Sequence, residues 1–179
     1  MVRLELGCLG DQIPCETAVV TPYAADVFPE QFKISSVNVQ ALSPERTFWE
    51  KATALHREYY RVQSGKPVTE RSFRHYHDVV VLAKHQRGIA AMKDLDLLAQ
   101  VVSHKQHFFR EASARYELAK KGTLRLAPDT NLEEELRKDS LKMREMFFGA
   151  HPDFDEVIRE IRKIETLINM NSDHASLVM

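Results

Sequence analysis

Three stretches of this chain carry side chains whose types and spacing suit chemistry on a phosphate or a metal. The first surrounds Lys51. Projected at about 100° per residue, Phe48, Ala52, Leu55 and Tyr59 share one helical face, with Trp49 at its edge and Glu50 and Arg57 opposite. Lys51 falls about 70° from the centre of that apolar stripe. A lysine there can lay its stem along a core and aim its ammonium into a cleft, either to hold a phosphate as a compact point charge or merely to reach solvent. The second stretch is Arg71-Ser72-Phe73-Arg74-His75-Tyr76-His77-Asp78. Arg71, Arg74, His75 and Asp78 fall within an arc of about 100°, away from the apolar face of Phe73, Tyr76 and Val80. That set is either an ion-pair face, with Arg74 and Asp78 at i,i+4 stabilising by about 0.3–0.5 kcal/mol, or a catalytic one in which Asp78 serves as base or metal ligand. His75 and His77 point about 160° apart and cannot share an ion. The third stretch holds His104 and His107, three residues apart, with no third ligand at a suitable spacing for zinc.

Several recurrent site motifs are missing: a phosphate-cradling glycine loop, a Gly-x-Ser-x-Gly elbow, His-Glu-x-x-His and a paired Cys-x-x-Cys. Two-metal phosphoryl transfer uses several clustered carboxylates. Only Glu5, on an alternating segment Val2–Leu6, is an acid well posed on a strand.

These residues need elements to position them. Val2–Leu6, Thr17–Val20 and Val37–Ala41 read as short strands, the first and last by alternation. Three short strands leave unpaired edges, so this part looks like a piece of a larger sheet. Ser43-Pro44-Glu45 is a strong helix start. The expected helices run from Pro44 to about Val62, Thr69 to Lys84, Leu95 to Leu118, Leu132 to Phe148 and Phe154 to Ile168, with breaks at Gly65-Lys66-Pro67, Gly88, Gly122, Gly149 and Pro152.

The 179 residues are 44% hydrophobic and 28% charged, which excludes wholesale disorder. No apolar run approaches the roughly 20 residues of a transmembrane helix, and the N-terminus has no signal-peptide pattern. Cys8 and Cys15 are isolated thiols, expected to be reduced in a cytoplasmic protein. The net charge of −1 is uneven: residues 1–43 carry two bases and five acids, residues 44–125 sixteen bases and nine acids, and residues 126–179 seven bases and twelve acids. A basic middle between acidic flanks suits a nucleotide or RNA surface, or simply helix faces whose charges pair across the fold.

Taken together, the motifs resemble one family. Leu42-Ser43-Pro44-Glu45-Arg46-Thr47-Phe48-Trp49-Glu50-Lys51-Ala52-Thr53-Ala54-Leu55-His56 resembles the helix motif of the AbiEii/AbiGii toxins, nucleotidyltransferase-like halves of abortive-infection toxin–antitoxin systems. Arg74-His75-Tyr76-His77-Asp78 is similar to the motif that follows it, and Val2-Arg3-Leu4-Glu5 to the family's strand-borne acid. Val101–Lys105 with Phe108-Phe109, and Leu136–Asp139 leading to Met143 and Met146–Gly149, are also similar. The resemblance implies an α+β fold: a partial nucleotidyltransferase sheet over residues 1–42, packed on a larger helical bundle over residues 43–179. It implies transfer of a nucleotidyl group from a nucleoside triphosphate to an RNA acceptor such as tRNA, with Mg2+ and a cognate antitoxin partner. It assigns Lys51, Asp78 and Glu5 to catalysis, Lys51, Arg74 and His75 to the nucleotide, and Glu5 to the metal. The family's Gly-rich turn and Asp-x-Asp pair have no counterpart here. The expectation is therefore a C-terminal part that is inactive by itself. The alternatives are a non-catalytic helical module that binds an antitoxin or RNA, and a remnant without function.

Overall fold

A computed structural model describes residues 10, 11, 13–147 and 149–170. The expected strand Val2–Leu6, and with it Glu5, lies outside the described residues. The chain is α+β and divides into two compact units, Met1–Ser43 and Pro44–Met179.

In the first unit, β1 (Cys15–Val20) and β2 (Val37–Leu42) pair antiparallel, Cys15 opposite Leu42 and Val20 opposite Val37. The segments Thr17–Val20 and Val37–Ala41, expected as strands, thus pair with each other. Between them run a short helix, α1 (Tyr23–Val27), and a 3-10 turn at Pro29–Gln31, neither of which the sequence pattern announced. Val19, Val20, Val37, Val39 and Leu42 remain exposed. Because adjacent strand residues face opposite ways, this ribbon shows apolar side chains on both faces.

The second unit holds the core. Helix α2 (Pro44–Gln63) packs against α3 (Phe73–Lys84), α4 (Gln86–Ala91) and α5 (Leu95–Phe108). Helix α3 also packs against α6 (Thr130–Lys142) and α7 (Phe154–Met170). Phe48, Trp49, Phe73 and Tyr76 are completely buried between them. Phe48 and Phe73 each contribute about 1.5–3 kcal/mol through burial. The starts of α5 and α6 are capped by Asp94 and Asp129, whose carboxylates accept from Leu97 N and Leu132 N, each at 2.9 Å.

Three expected boundaries are corrected. The helix expected from Thr69 begins at Phe73, because its N-terminus is capped from a distance. Asp139, buried on α6, accepts from Arg71 N at 2.8 Å and Phe73 N at 2.9 Å. Arg71 takes a positive φ of 62° to present its amide, so it stands before the helix and not on the face of Arg74 and Asp78. The helix expected to reach Leu118 ends at Phe108. Beyond it the chain folds back over α2 in two 3-10 turns, Ala112–Ala114 and Tyr116–Leu118, burying Ala114 and Tyr116. Arg115 between them has φ 47°, and its carbonyl accepts from His56 Nε2 at 3.0 Å. The helix expected to reach Phe148 ends at Lys142 and gives way to a 3-10 turn at Arg144–Met146.

Gly88, expected as a breaker, lies inside α4. A Cβ there would stand 1.9 Å from the Leu82 carbonyl oxygen, so the glycine permits close approach to the end of α3. The connector Leu124–Pro128 forms neither helix nor strand. Side chains bind its backbone instead: Arg125 N donates to His56 Nδ1 at 3.0 Å, Leu126 N and Ala127 N donate to Glu165, and Leu124 O accepts from Asn169 Nδ2 at 2.9 Å. Among the described residues no helix is long and apolar enough to cross a membrane.

Candidate functional site

Helices α2 and α3 bring Lys51, His75 and Asp78 together. Lys51 Nζ donates to Asp78 Oδ2 at 2.9 Å and to His75 Nδ1 at 3.3 Å. The partners are 24 and 27 positions away in sequence, and the neighbouring apolar stripes of the two helices lock the register. A lysine ammonium only donates, so His75 Nδ1 accepts and the ring proton sits on Nε2. Burial pushes His75 down, and the cations of Lys51 and Arg74 push it further, to about 4. The imidazole is therefore neutral at pH 7. Lys51 and Asp78 keep 28% and 39% of their side-chain surfaces exposed, so a solute can reach both.

Asp78 has two different sides. Its Oδ2 meets Lys51, while Oδ1 lies 4.0 Å from His77 Nδ1. His77 presents its ring to Phe147, centroids 5.1 Å apart, and partial burial holds its basicity down. His75 and His77 thus diverge, as their spacing requires. The ion pair of Asp78 runs across helices to Lys51 and not along α3 to Arg74. Arg74 is exposed one turn earlier on the same helix.

A second charged cluster adjoins the first along α2. Glu50 Oε1 accepts from Arg46 at 3.1 Å, and Glu50 Oε2 meets Lys105 Nζ at 3.0 Å. Lys105 also donates to the Glu50 carbonyl at 2.9 Å. Arg46 is fully buried and Lys105 nearly so. Burial lowers the basicity of Lys105, opposed by Glu50. Sequence reasoning placed Glu50 on the polar side of the helix and missed this network. It also missed Glu58, which is buried and accepts from Thr69 at its backbone N and its hydroxyl, the latter at 2.8 Å. Nothing in the spacing distinguishes these charges from surface ones.

The metal readings fare differently. His104 and His107 both lie against Phe108, ring centroids 4.7 and 4.6 Å apart, as parts of an aromatic cluster. Among the described residues no three histidines, cysteines or acids gather as metal ligands. With Asp78 paired to Lys51, the described residues do not fit a two-metal centre.

Neither curated proteins nor solved structures offer a significant match to the chain. A family profile does: that of the nucleotidyl transferase AbiEii toxin, type IV toxin–antitoxin system, matches residues 1–160 of the 179. With a match over most of its length, the chain belongs to the AbiEii nucleotidyltransferase toxin family.

Proposed function

We propose that the helical unit binds the triphosphate of a nucleoside triphosphate through Lys51 and takes part in nucleotidyl transfer to an RNA acceptor such as the end of a tRNA. The observation that carries this reading is the Lys51 ammonium, held between Asp78 and His75 with both ion-pair partners open to solvent. Two of its three protons face protein acceptors, and a phosphate oxygen competes for the same ammonium. When phosphate takes the place of the Asp78 carboxylate, that carboxylate is released to act as a base. The acceptor hydroxyl oxygen then bonds to the α-phosphorus, the bond from that phosphorus to the pyrophosphate oxygen breaks, and the hydroxyl proton passes to Asp78. His75, neutral, keeps Lys51 directed without adding positive charge, and Arg74 supplies a further cation beside the phosphates. The nucleotide is expected to arrive as its Mg2+ complex, and Glu5 is the carboxylate assigned to that ion. Membership of a toxin–antitoxin family implies an antitoxin partner.

The test is calorimetric titration of the full chain with ATP, CTP, GTP and UTP in MgCl2. Lys51→Ala is expected to weaken binding at least about tenfold, the loss of a charge-assisted contact, with the unfolding midpoint as a control for folding. An unchanged affinity in Lys51→Ala sinks the reading. RNA binding without triphosphate binding puts the non-catalytic module in its place.

A further inference from the structure

A cleft of about 390 Å3 opens beside Asp78, and Lys51 is not among the residues that line it. Its size is at the small end of ligand sites, which span about 300–1,000 Å3. Its two walls differ in chemistry. Arg74, His77 and Asp78 line it from α3, and Met143, Met146 and Phe147 from the segment that follows α6, with Ala150 and Pro152. The Phe147 ring is fixed in advance by His77, Phe73 and His151, with centroids 5.1, 6.2 and 5.4 Å away.

We propose that this cleft is a nucleobase pocket, contiguous with the phosphate position at Lys51 through the shared carboxylate of Asp78. The inference rests on the functional reading above and names the part of the nucleotide that Lys51 does not hold. A bare anion would have no use for the thioether and aromatic wall, and would meet the Asp78 carboxylate. An aliphatic ligand would leave the donors of Arg74 and His77 unmatched. A nucleobase uses both walls. Its π-face stacks on Phe147 and the polarizable methionines, and its edge offers donors and acceptors to Arg74, His77 and Asp78. A ring already fixed by its neighbours loses little entropy on stacking. The base belongs either to the triphosphate or to the RNA acceptor, and the pocket chemistry is the same for both.

The experiment titrates the full chain with the four nucleoside triphosphates, with inorganic tripolyphosphate, and with a single-stranded RNA ending in CCA. Phe147→Leu removes the ring. Ala150→Trp, at an exposed position on the cleft, fills it without changing charge and serves if Phe147→Leu fails to fold. Loss of one stacking contact is expected to cost about fivefold or more in affinity. If the variants weaken triphosphate binding and leave tripolyphosphate binding unchanged, the base is that of the triphosphate. If they weaken only RNA binding, the base is that of the acceptor. If tripolyphosphate and triphosphates fail to bind while RNA binding depends on Phe147, the pocket stands and the role given to Lys51 falls. Affinities for triphosphate and RNA within about twofold of wild type in both variants, or no binding of either by the wild type, overturn the pocket.

Discussion

Lys51 draws its meaning from its two acceptors. One of them, His75, sets a pH dependence whose sign follows from its geometry. The folded chain holds His75 neutral down to about 4, whereas its ordinary value is 6.5. Well above pH 6.5 neither state binds the proton, and this titration does not make stability depend on pH there. As pH falls below that value, the unfolded chain protonates first, so stability declines until the folded form protonates near 4. His56 and His77, also held down by burial, add in the same direction. His75→Gln keeps an acceptor for Lys51 and removes the titration. Urea unfolding between about pH 7 and 4.5 is expected to show a shallower decline in that variant, by on the order of 1–2 kcal/mol after solvent screening. Parallel curves would show that His75 protonates freely in the folded chain. The network around Glu50 gives a second contrast. Replacing Glu50 with Gln removes the carboxylate that Arg46 and Lys105 share, and costs about 3 kcal/mol. Lys105→Met leaves Glu50 still paired with Arg46 and costs less. Equal losses in chemical denaturation would mean that Arg46 and Lys105 do not share Glu50.

Helix α3 carries four of the residues around the candidate site, and its own start is fixed by a different helix. Ser72 makes no side-chain cap, and Asp139 of α6 receives the two amides instead. Asp139→Ala strands the buried Phe73 amide and the partly buried Arg71 amide, and is expected to destabilise the fold by about 2–3 kcal/mol. The damage should begin at the first turn of α3. Hydrogen exchange is the measurement: the amides of Arg71 and Phe73 should lose protection before those of Val79 and Val80. Uniform loss along α3 would refute local capping. The connector Leu124–Pro128 is organised in the same way, with His56 and Glu165 satisfying backbone groups that a sheet would otherwise take.

At the scale of the molecule, the hydrophobic core cluster among the described residues runs from Phe48 to Ile168, within the second unit. The hairpin of the first unit leaves its valines exposed, and two strands alone are at best marginal in water. Residues 44–179 are therefore expected to fold by themselves with a cooperative thermal transition, and residues 1–43 are not. Circular dichroism of the two pieces checks this. A 44–179 fragment that lacks a cooperative transition would show that the core depends on the first unit.

Helix periodicity made α2 and α7 legible in the sequence, because an apolar stripe wide enough to build a core repeats whatever it packs against. The same projection placed Lys51 at the border of its stripe, and the spacing of His75 and His77 required them to diverge. Similarity of short motifs pointed to the family, since each motif is a local string. The residues that end or begin elements from a distance were not legible. Asp139 capping α3, His56 binding the carbonyl of Arg115 and Glu165 binding Leu126 and Ala127 are contacts between positions tens of residues apart. A buried acid has the same letter as an exposed one. The pairing of Lys51 with Asp78 in place of Arg74 with Asp78 belongs to the same class. Both partners were available to Asp78 in the sequence. Only the packing of α2 on α3 set which cation stood 2.9 Å away.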